Sequence, residues 1–141
     1  MCALDPTETP SKKTILIVDD EPDIVSYLEM ILQDSGFQTL TAANGNEALE
    51  LVRREKPDLV TLDISMPEAS GTRFYRELKK DPELSATPVF IVTAVTGFGG
   101  DEYGYEKFLS RSSLVPPPEG FYPKPIDREA FVSAVTAQLS S

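Results

Sequence analysis

The stretch Thr14–Asp23, TILIVDDEPD, decides the fold. Four consecutive aliphatic residues, Ile15 to Val18, form the kind of run expected of a strand buried on both faces of a sheet. The run stops on Asp19, Asp20 and Glu21, with Asp23 one residue beyond Pro22. Like charges set side by side repel one another, so a chain that crowds carboxylates at a strand end needs something that makes the crowding useful. Pro22 also announces the next element, because proline suits the first turn of a helix. Ile24, Leu28, Ile31 and Leu32 then fall at i, i+4, i+7 and i+8, one apolar stripe that ends before Gly36. The stretch reads as a strand, an acidic turn and the start of a helix.

The same rhythm runs on through the chain. Strand Thr14 to Val18 and a helix near Pro22 to Asp34 are followed by strand Phe37 to Ala42 and a helix near Asn46 to Glu55. Strand Asp58 to Leu62, a helix near Thr72 to Lys80 and strand Val89 to Thr93 come next. A weaker helix around Asp101 to Arg111, strand Gly120 to Tyr122 and helix Arg128 to Leu139 complete the pattern. Asp127 is placed to cap the last helix, which buries Phe131, Val135 and, at its end, Leu139. Both ILIV and VFIV are unbroken apolar runs, so helices are expected on both faces of the sheet. Five such units predict a doubly wound α/β fold with a five-stranded parallel sheet. The rhythm breaks between Thr96 and Gly120, where TGFGGDEYGYEKFLSRSSLVPPPEG is glycine-rich at one end and carries three prolines at the other. Its helix is expected to be short and atypical.

With 141 residues the chain is long enough for one substantial core and too short for two comfortable domains. Residues 1–12 are expected to be a flexible polar tail, and the folded domain to span 13–141. A net charge of -10, with 13 scattered Lys and Arg, argues against direct nucleic-acid binding. The single cysteine, Cys2, permits no intrachain disulfide, which fits a reducing compartment. No apolar run approaches the roughly 18 residues of a membrane span. MCALDPTETP also lacks the basic start and apolar stretch of a signal peptide. These features predict a cytoplasmic protein without membrane insertion. Histidine is absent, which excludes His-based triads, general bases and metal ligands and leaves carboxylates, Lys, Ser and Thr for any chemistry.

In an open parallel sheet, ligands bind at the carboxyl ends of the strands, near the point where strand order reverses. Asp19 and Asp20 close the first predicted strand, Asp63 closes the third, Thr93 the fourth, and Lys124 follows the fifth in FYPKP. Alone, such an Asp is often a helix cap and such a Thr β-branched filler. Together they bring three carboxylates, a hydroxyl and an ammonium to one rim. Three carboxylates suit a hard cation, and Mg2+, which takes few protein ligands and keeps waters, fits better than calcium. A carboxylate also serves as a nucleophile toward phosphorus when a metal and a lysine neutralise the transferring oxygens. Asp63 is the nucleophile candidate, because it opens the loop ISMPEASG, expected to leave its head group accessible. Thr93 and Lys124 would hold phosphoryl oxygens, one by hydrogen bond and one by charge. Glu21 and Asp23 flank Pro22 at the start of the helix, where the dipole favours negative charge.

The four motifs ILIVDDEPD, LVTLDISMPEASG, VFIVTA and YPKP, in that order and each at a predicted strand end, resemble the receiver domain of two-component response regulators. The resemblance runs from about Lys13 to the C-terminus and implies the flavodoxin-like receiver fold. It implies that Asp63 accepts phosphate from a histidine kinase or phosphotransfer protein, with hydrolysis that is partly self-catalysed rather than conventional enzyme turnover. Asp19 and Asp20 would form the magnesium pocket, with Asp20, Asp63 and the backbone carbonyl of Ser65 as direct ligands. Thr93 would be the switch hydroxyl, and Lys124, followed by Pro125 across a bond usually cis in the family, the phosphoryl clamp. Met66, Pro67 and Gly71 match the loop after the acceptor, and Ala94 the small residue that gives the phosphoryl group access. Phe121, three before Lys124, takes the place of the switching aromatic, without the hydroxyl tyrosine would offer. Ser65 and Val95 occupy positions that tune phosphate lifetime.

Without histidine, the chain must take its phosphate from another protein or a small acyl phosphate. If the chain is complete, no output domain is expected after the last predicted helix. The expected route of signalling is therefore contact with an unknown downstream protein, or an output domain that belongs to a longer regulator. Two other readings compete. A receiver-like interaction module without phosphorylation is disfavoured by the presence of all five key side chains but kept open by the Thr96 to Gly120 segment, longer than most receivers carry there. VPPPEGFYPKP reads as a stiffened loop before a proline-rich ligand. A flavin mononucleotide carrier of the same fold would need a phosphate-binding loop after the first strand, where DDEPD repels phosphate.

Overall fold

A computed structural model of the chain describes residues 13–63, 70–94, 119–124 and 126–140; at 70–72, 93, 94, 121, 123, 124 and 140 it describes the backbone. The elements are β1 (Thr14–Val18), α1 (Pro22–Asp34), β2 (Gln38–Ala42), α2 (Gly45–Glu55) and β3 (Leu59–Leu62), then α3 (Ser70–Lys80), β4 (Val89–Ala94), β5 (Gly120–Lys124) and α4 (Arg128–Ser140). The sheet has five strands in the order β2-β1-β3-β4-β5, all pairs parallel. Strand order reverses between β1 and β3, which puts the switch point where Asp19 and Asp63 leave their strands. The predicted tail 1–12, the helix at Asp101 to Arg111, Ser65, Met66, Pro67, Val95 and Pro125 lie outside the described residues.

The apolar runs are unbroken because both faces of the sheet are covered. Along β1, Leu16 and Val18 join one core with Val60, Leu62, Val52, Phe74, Leu78 and Ile91, beneath α2 and α3. Ile15 and Ile17 point the other way, to Leu28, Ile31, Leu32, Val92, Phe131 and Val135 beneath α1 and α4. Alternation along each strand thus feeds two cores rather than one core and solvent.

Local chemistry sets most element ends. Asn44 caps α2 by accepting the Glu47 amide at 2.9 Å, and the Glu47 carboxylate reaches back past the cap to accept the Ala43 amide at 3.0 Å. Asp127 caps α4 through the Ala130 amide at 3.2 Å, as its position predicts. Gly36 ends α1 at φ +96°, a conformation side chains resist. One prediction needs correcting: β5 does not stop at Tyr122 but continues through Pro123 and Lys124, which pair with Thr93 and Ala94. Proline supplies no ladder N–H, yet β5 is an edge strand, where that loss is tolerated.

Candidate functional site

The carboxyl ends of β1 and β3 bring three acids together. The β1–β2 and β1–β3 ladders each run past the last strand residue. The Asp19 amide donates to the Ala42 carbonyl at 3.1 Å, and the Asp63 amide to the Val18 carbonyl at 2.9 Å. The backbones of both aspartates are therefore tied to the sheet. Carboxylate oxygens of Asp19, Asp20 and Asp63 all lie within 4.8 Å of one another. Asp19 is 3% exposed and Asp63 2%, while Asp20 faces solvent.

This geometry revises one expectation. Asp63 was predicted to have an accessible head group at the start of a loop, but the continuing ladder keeps it inside the rim. The exposed member of the trio is Asp20. Asp19 has a second task that the sequence reading did not assign. Its Oδ1 accepts the Glu21 amide at 2.9 Å, which shapes the entry to α1, whose N-cap, Glu21, offers no side-chain cap of its own. Asp23 lies in the first turn, as expected from the dipole.

A depression of about 200 Å³ opens beside the trio, lined among others by Asp19, Asp20, Pro22, Val25, Thr41 and Glu47. Glu47 adds an acid to this side of the rim that motif reading missed. Its signal was present in the sequence as Asn44-x-x-Glu47, a capping pattern.

The structure places Thr93 and Lys124 at the same rim by backbone alone. Thr93 is the second-last residue of β4 and pairs with Pro123; Lys124 is the last of β5 and pairs with Ala94. Phe121 pairs with Ile91, one residue before Tyr122 and hence of opposite parity along β5. The neighbouring Tyr122 belongs to the core: its ring meets Phe90 at 5.2 Å and Phe131 at 5.5 Å, the latter edge-on at 88°. Burial raises its pKa above the ordinary tyrosine value of 10.0.

At the opposite, amino-terminal end of the sheet the charged groups are paired. Asp58 accepts the Thr14 amide at 2.8 Å. Lys79 Nζ, with its side chain 2% exposed, donates to the carbonyls of Ser85 and Thr87 at 3.3 and 2.9 Å and lies 3.9 Å from the Glu119 carboxylate. Burial lowers the Lys79 pKa from 10.5, and Glu119 partly opposes that shift.

Residues 15–106 match the family model of the response regulator receiver domain. The chain is 37% identical over 130 residues to protein PilH of Pseudomonas aeruginosa, covering 89% of this chain and 97% of PilH. It is similar to the crystal structure of the receiver domain of a signal transduction histidine kinase from Syntrophus aciditrophicus. That match has 33% identity, a TM-score of 0.74, and covers 91% of this chain and 90% of that one. The receiver domain of a sensor histidine kinase from Pseudomonas aeruginosa, solved with a magnesium ion coordinated in its active-site cleft, shares the fold. Its identity is 21% and its TM-score 0.77, covering 93% of this chain and 100% of that one.

Proposed function

The chain belongs to the response regulator receiver family of two-component signalling, and on that premise we propose that Asp63 is its phosphoacceptor and that the reaction needs Mg2+. The observation that carries the reading is the convergence of Asp19, Asp20 and Asp63 at the switch point, their oxygens within 4.8 Å. A trio so placed fits a small hard cation in both charge and donor type. Asp19, Asp20, Asp63 and the Ser65 carbonyl are the groups that would hold it. Bound there, magnesium supplies neutralising charge beside the transferring phosphoryl oxygens.

The side chains do the rest. An Asp63 carboxylate oxygen attacks phosphorus, an O–P bond forms, and the bond to the donor breaks with its electron pair leaving on the donor's imidazole nitrogen or acyl oxygen. The bond from the Asp63 amide to the Val18 carbonyl supports this reading, because it ties the acceptor's backbone to β1. Thr93 donates its hydroxyl to one phosphoryl oxygen, and the Lys124 ammonium holds another. Phe121 is the aromatic that changes place as the rim takes up the phosphoryl group. The donor is a histidine kinase or phosphotransfer protein, and the chain itself, lacking histidine, cannot be that donor. Signalling passes to a downstream protein or output domain by contact. A cytoplasmic location is part of the same reading; no helix among the described residues is long and apolar enough to cross a membrane.

The test is incorporation of phosphate from acetyl phosphate, read as intact mass with and without Mg2+. The expected result is one phosphate on the wild-type chain in Mg2+, none in chelator, and none on Asp63→Asn. A wild-type chain that takes up no phosphate, or an Asp63→Asn chain that still does, would overturn the reading.

A further inference from the structure

The cluster at the foot of the sheet does work that the phosphoacceptor site alone does not explain. Lys79 sits in the last turn of α3, where a cation is favoured by the helix dipole. Glu119 immediately precedes β5. Besides facing Lys79 at 3.9 Å, Glu119 makes two bonds to Val89, the first residue of β4: its amide donates to the Val89 carbonyl at 2.9 Å, and its Oε1 accepts the Val89 amide at 2.8 Å. Lys79 meanwhile binds the two carbonyls of the turn that leads into β4. One buried ammonium and one carboxylate thus join α3, the start of β4 and the start of β5.

β5 needs such a fixture. It is an edge strand in parallel pairing, and no tight hairpin sets its register as one would for antiparallel neighbours. Pro123 donates no ladder bond near its carboxyl end. A slip of one residue would turn Lys124 to the other face, and a slip of two would move it by about 7 Å along the sheet. Gly120 adds a second constraint at the same end, because a Cβ there would lie 2.7 Å from Tyr122 Cε2 and 3.2 Å from Phe90 Cδ1. α3 completes the frame. It starts at Ser70, shortly after Asp63, and its last turn brings Lys79 beside Glu119.

We propose that Lys79 and Glu119 are positioning residues for the phosphoryl site: the pair clasps the foot of α3 to the first rung of β5 and so sets where Lys124 stands relative to Asp63. The proposal rests on the reading of Lys124 as the phosphoryl clamp. The Mg2+ pocket is held by β1 and β3 and should not depend on the clasp, whereas the grip on the phosphoryl group should.

Calorimetric titration of the full chain separates the two, with Mg2+ alone and then with beryllium trifluoride, a phosphoryl mimic, in saturating Mg2+. Glu119→Gln and Lys79→Met are each expected to weaken the mimic about tenfold, the scale on which displaced supporting contacts act, with Mg2+ affinity within about twofold of wild type. Lys124→Ala should weaken the mimic too, and adding Glu119→Gln to it should cost little more, because both act through one group. If Glu119→Gln and Lys79→Met lower the melting temperature but leave mimic affinity unchanged while Lys124→Ala weakens it, the pair is only a stability contact and the proposal fails. If Lys124→Ala has no effect, the clamp reading itself fails and the clasp proposal falls with it.

Discussion

The two ends of one sheet hold their charges in contrasting ways. At the amino-terminal end, Asp58 accepts the Thr14 amide, and Glu119 accepts the Val89 amide and faces buried Lys79. At the carboxyl-terminal end, Asp19, Asp20 and Asp63 share a space with oxygens within 4.8 Å. Two unit charges at that spacing repel by about 3 kcal/mol at an effective dielectric of 20. The chain that sets one acid against one ammonium at one end brings three acids to the same place at the other. On the Mg2+ reading proposed above, a bound cation would offset that repulsion.

The sharpest way to break that contrast is Asp19→Asn. An Asn keeps an oxygen that can accept the Glu21 amide, so the entry to α1 should survive. In the wild-type chain, Mg2+ at about a hundred times its Kd should add about 2.7 kcal/mol, and in Asp19→Asn most of that should vanish. Thermal melts with and without Mg2+ decide it, and a variant that gains as much from the ion as wild type would remove Asp19 from the pocket. Gly120→Ala tests the other end. The added methyl has no room against Tyr122 and Phe90, and overpacking of this kind costs about 1–3 kcal/mol. Urea denaturation should show that loss while Mg2+ affinity holds, since β5 contributes no acid to the trio.

Much of this was legible in the sequence, for reasons that differ between the two ends. ILIV could only be a strand buried on both faces, and β1 and α1 fall within the predicted bounds. The acids of the rim were legible because unpaired-looking like charge at a strand end is rare enough to demand a reason. The burial of Asp63 was not, because it depends on the Asp63 amide reaching β1, a contact between positions 45 residues apart. Lys79 was illegible for the same reason. In the sequence ELKKDP it looks like one of two solvated lysines closing a helix, and only the return of β5 to β4 brings Glu119 to it. Pro123 hid the end of β5, since a proline argues against a strand until the strand is known to be an edge.

A smaller effect is expected at Lys56, the C-cap of α2, just before β3. Its φ of 48° and ψ of 63° place a non-glycine residue in the left-handed region. The side chain reaches Glu83 at 3.6 Å, but both partners are well exposed, and such a pair is worth at most a few tenths of a kcal/mol. Lys56→Gly should therefore stabilise the chain by about 0.5–1 kcal/mol, measured by urea denaturation. A loss instead would mean that the exposed ion pair outweighs the backbone strain.

The smallest expected effect is a change of slope in alkaline solution, where buried Lys79 and half-buried Tyr122 act against each other. Burial lowers the native pKa of Lys79 below its unfolded value of 10.5. Between those two values the unfolded chain still holds a proton that the native chain has released, so stability rises with pH. Burial raises the native pKa of Tyr122 above 10.0. Above that pH the unfolded tyrosine loses its proton first, so stability falls. In the wild-type chain the two slopes partly cancel. Lys79→Met should remove the rise and leave a steeper alkaline loss, whereas Tyr122→Phe should remove the fall and let the rise show. Denaturation midpoints followed from about pH 8 to pH 11 measure both slopes. Parallel curves for wild type and Lys79→Met would mean that the ammonium at the foot of the sheet is paired well enough to cost nothing. The contrast between the two ends would then be one of sign alone, with burial playing no part in it.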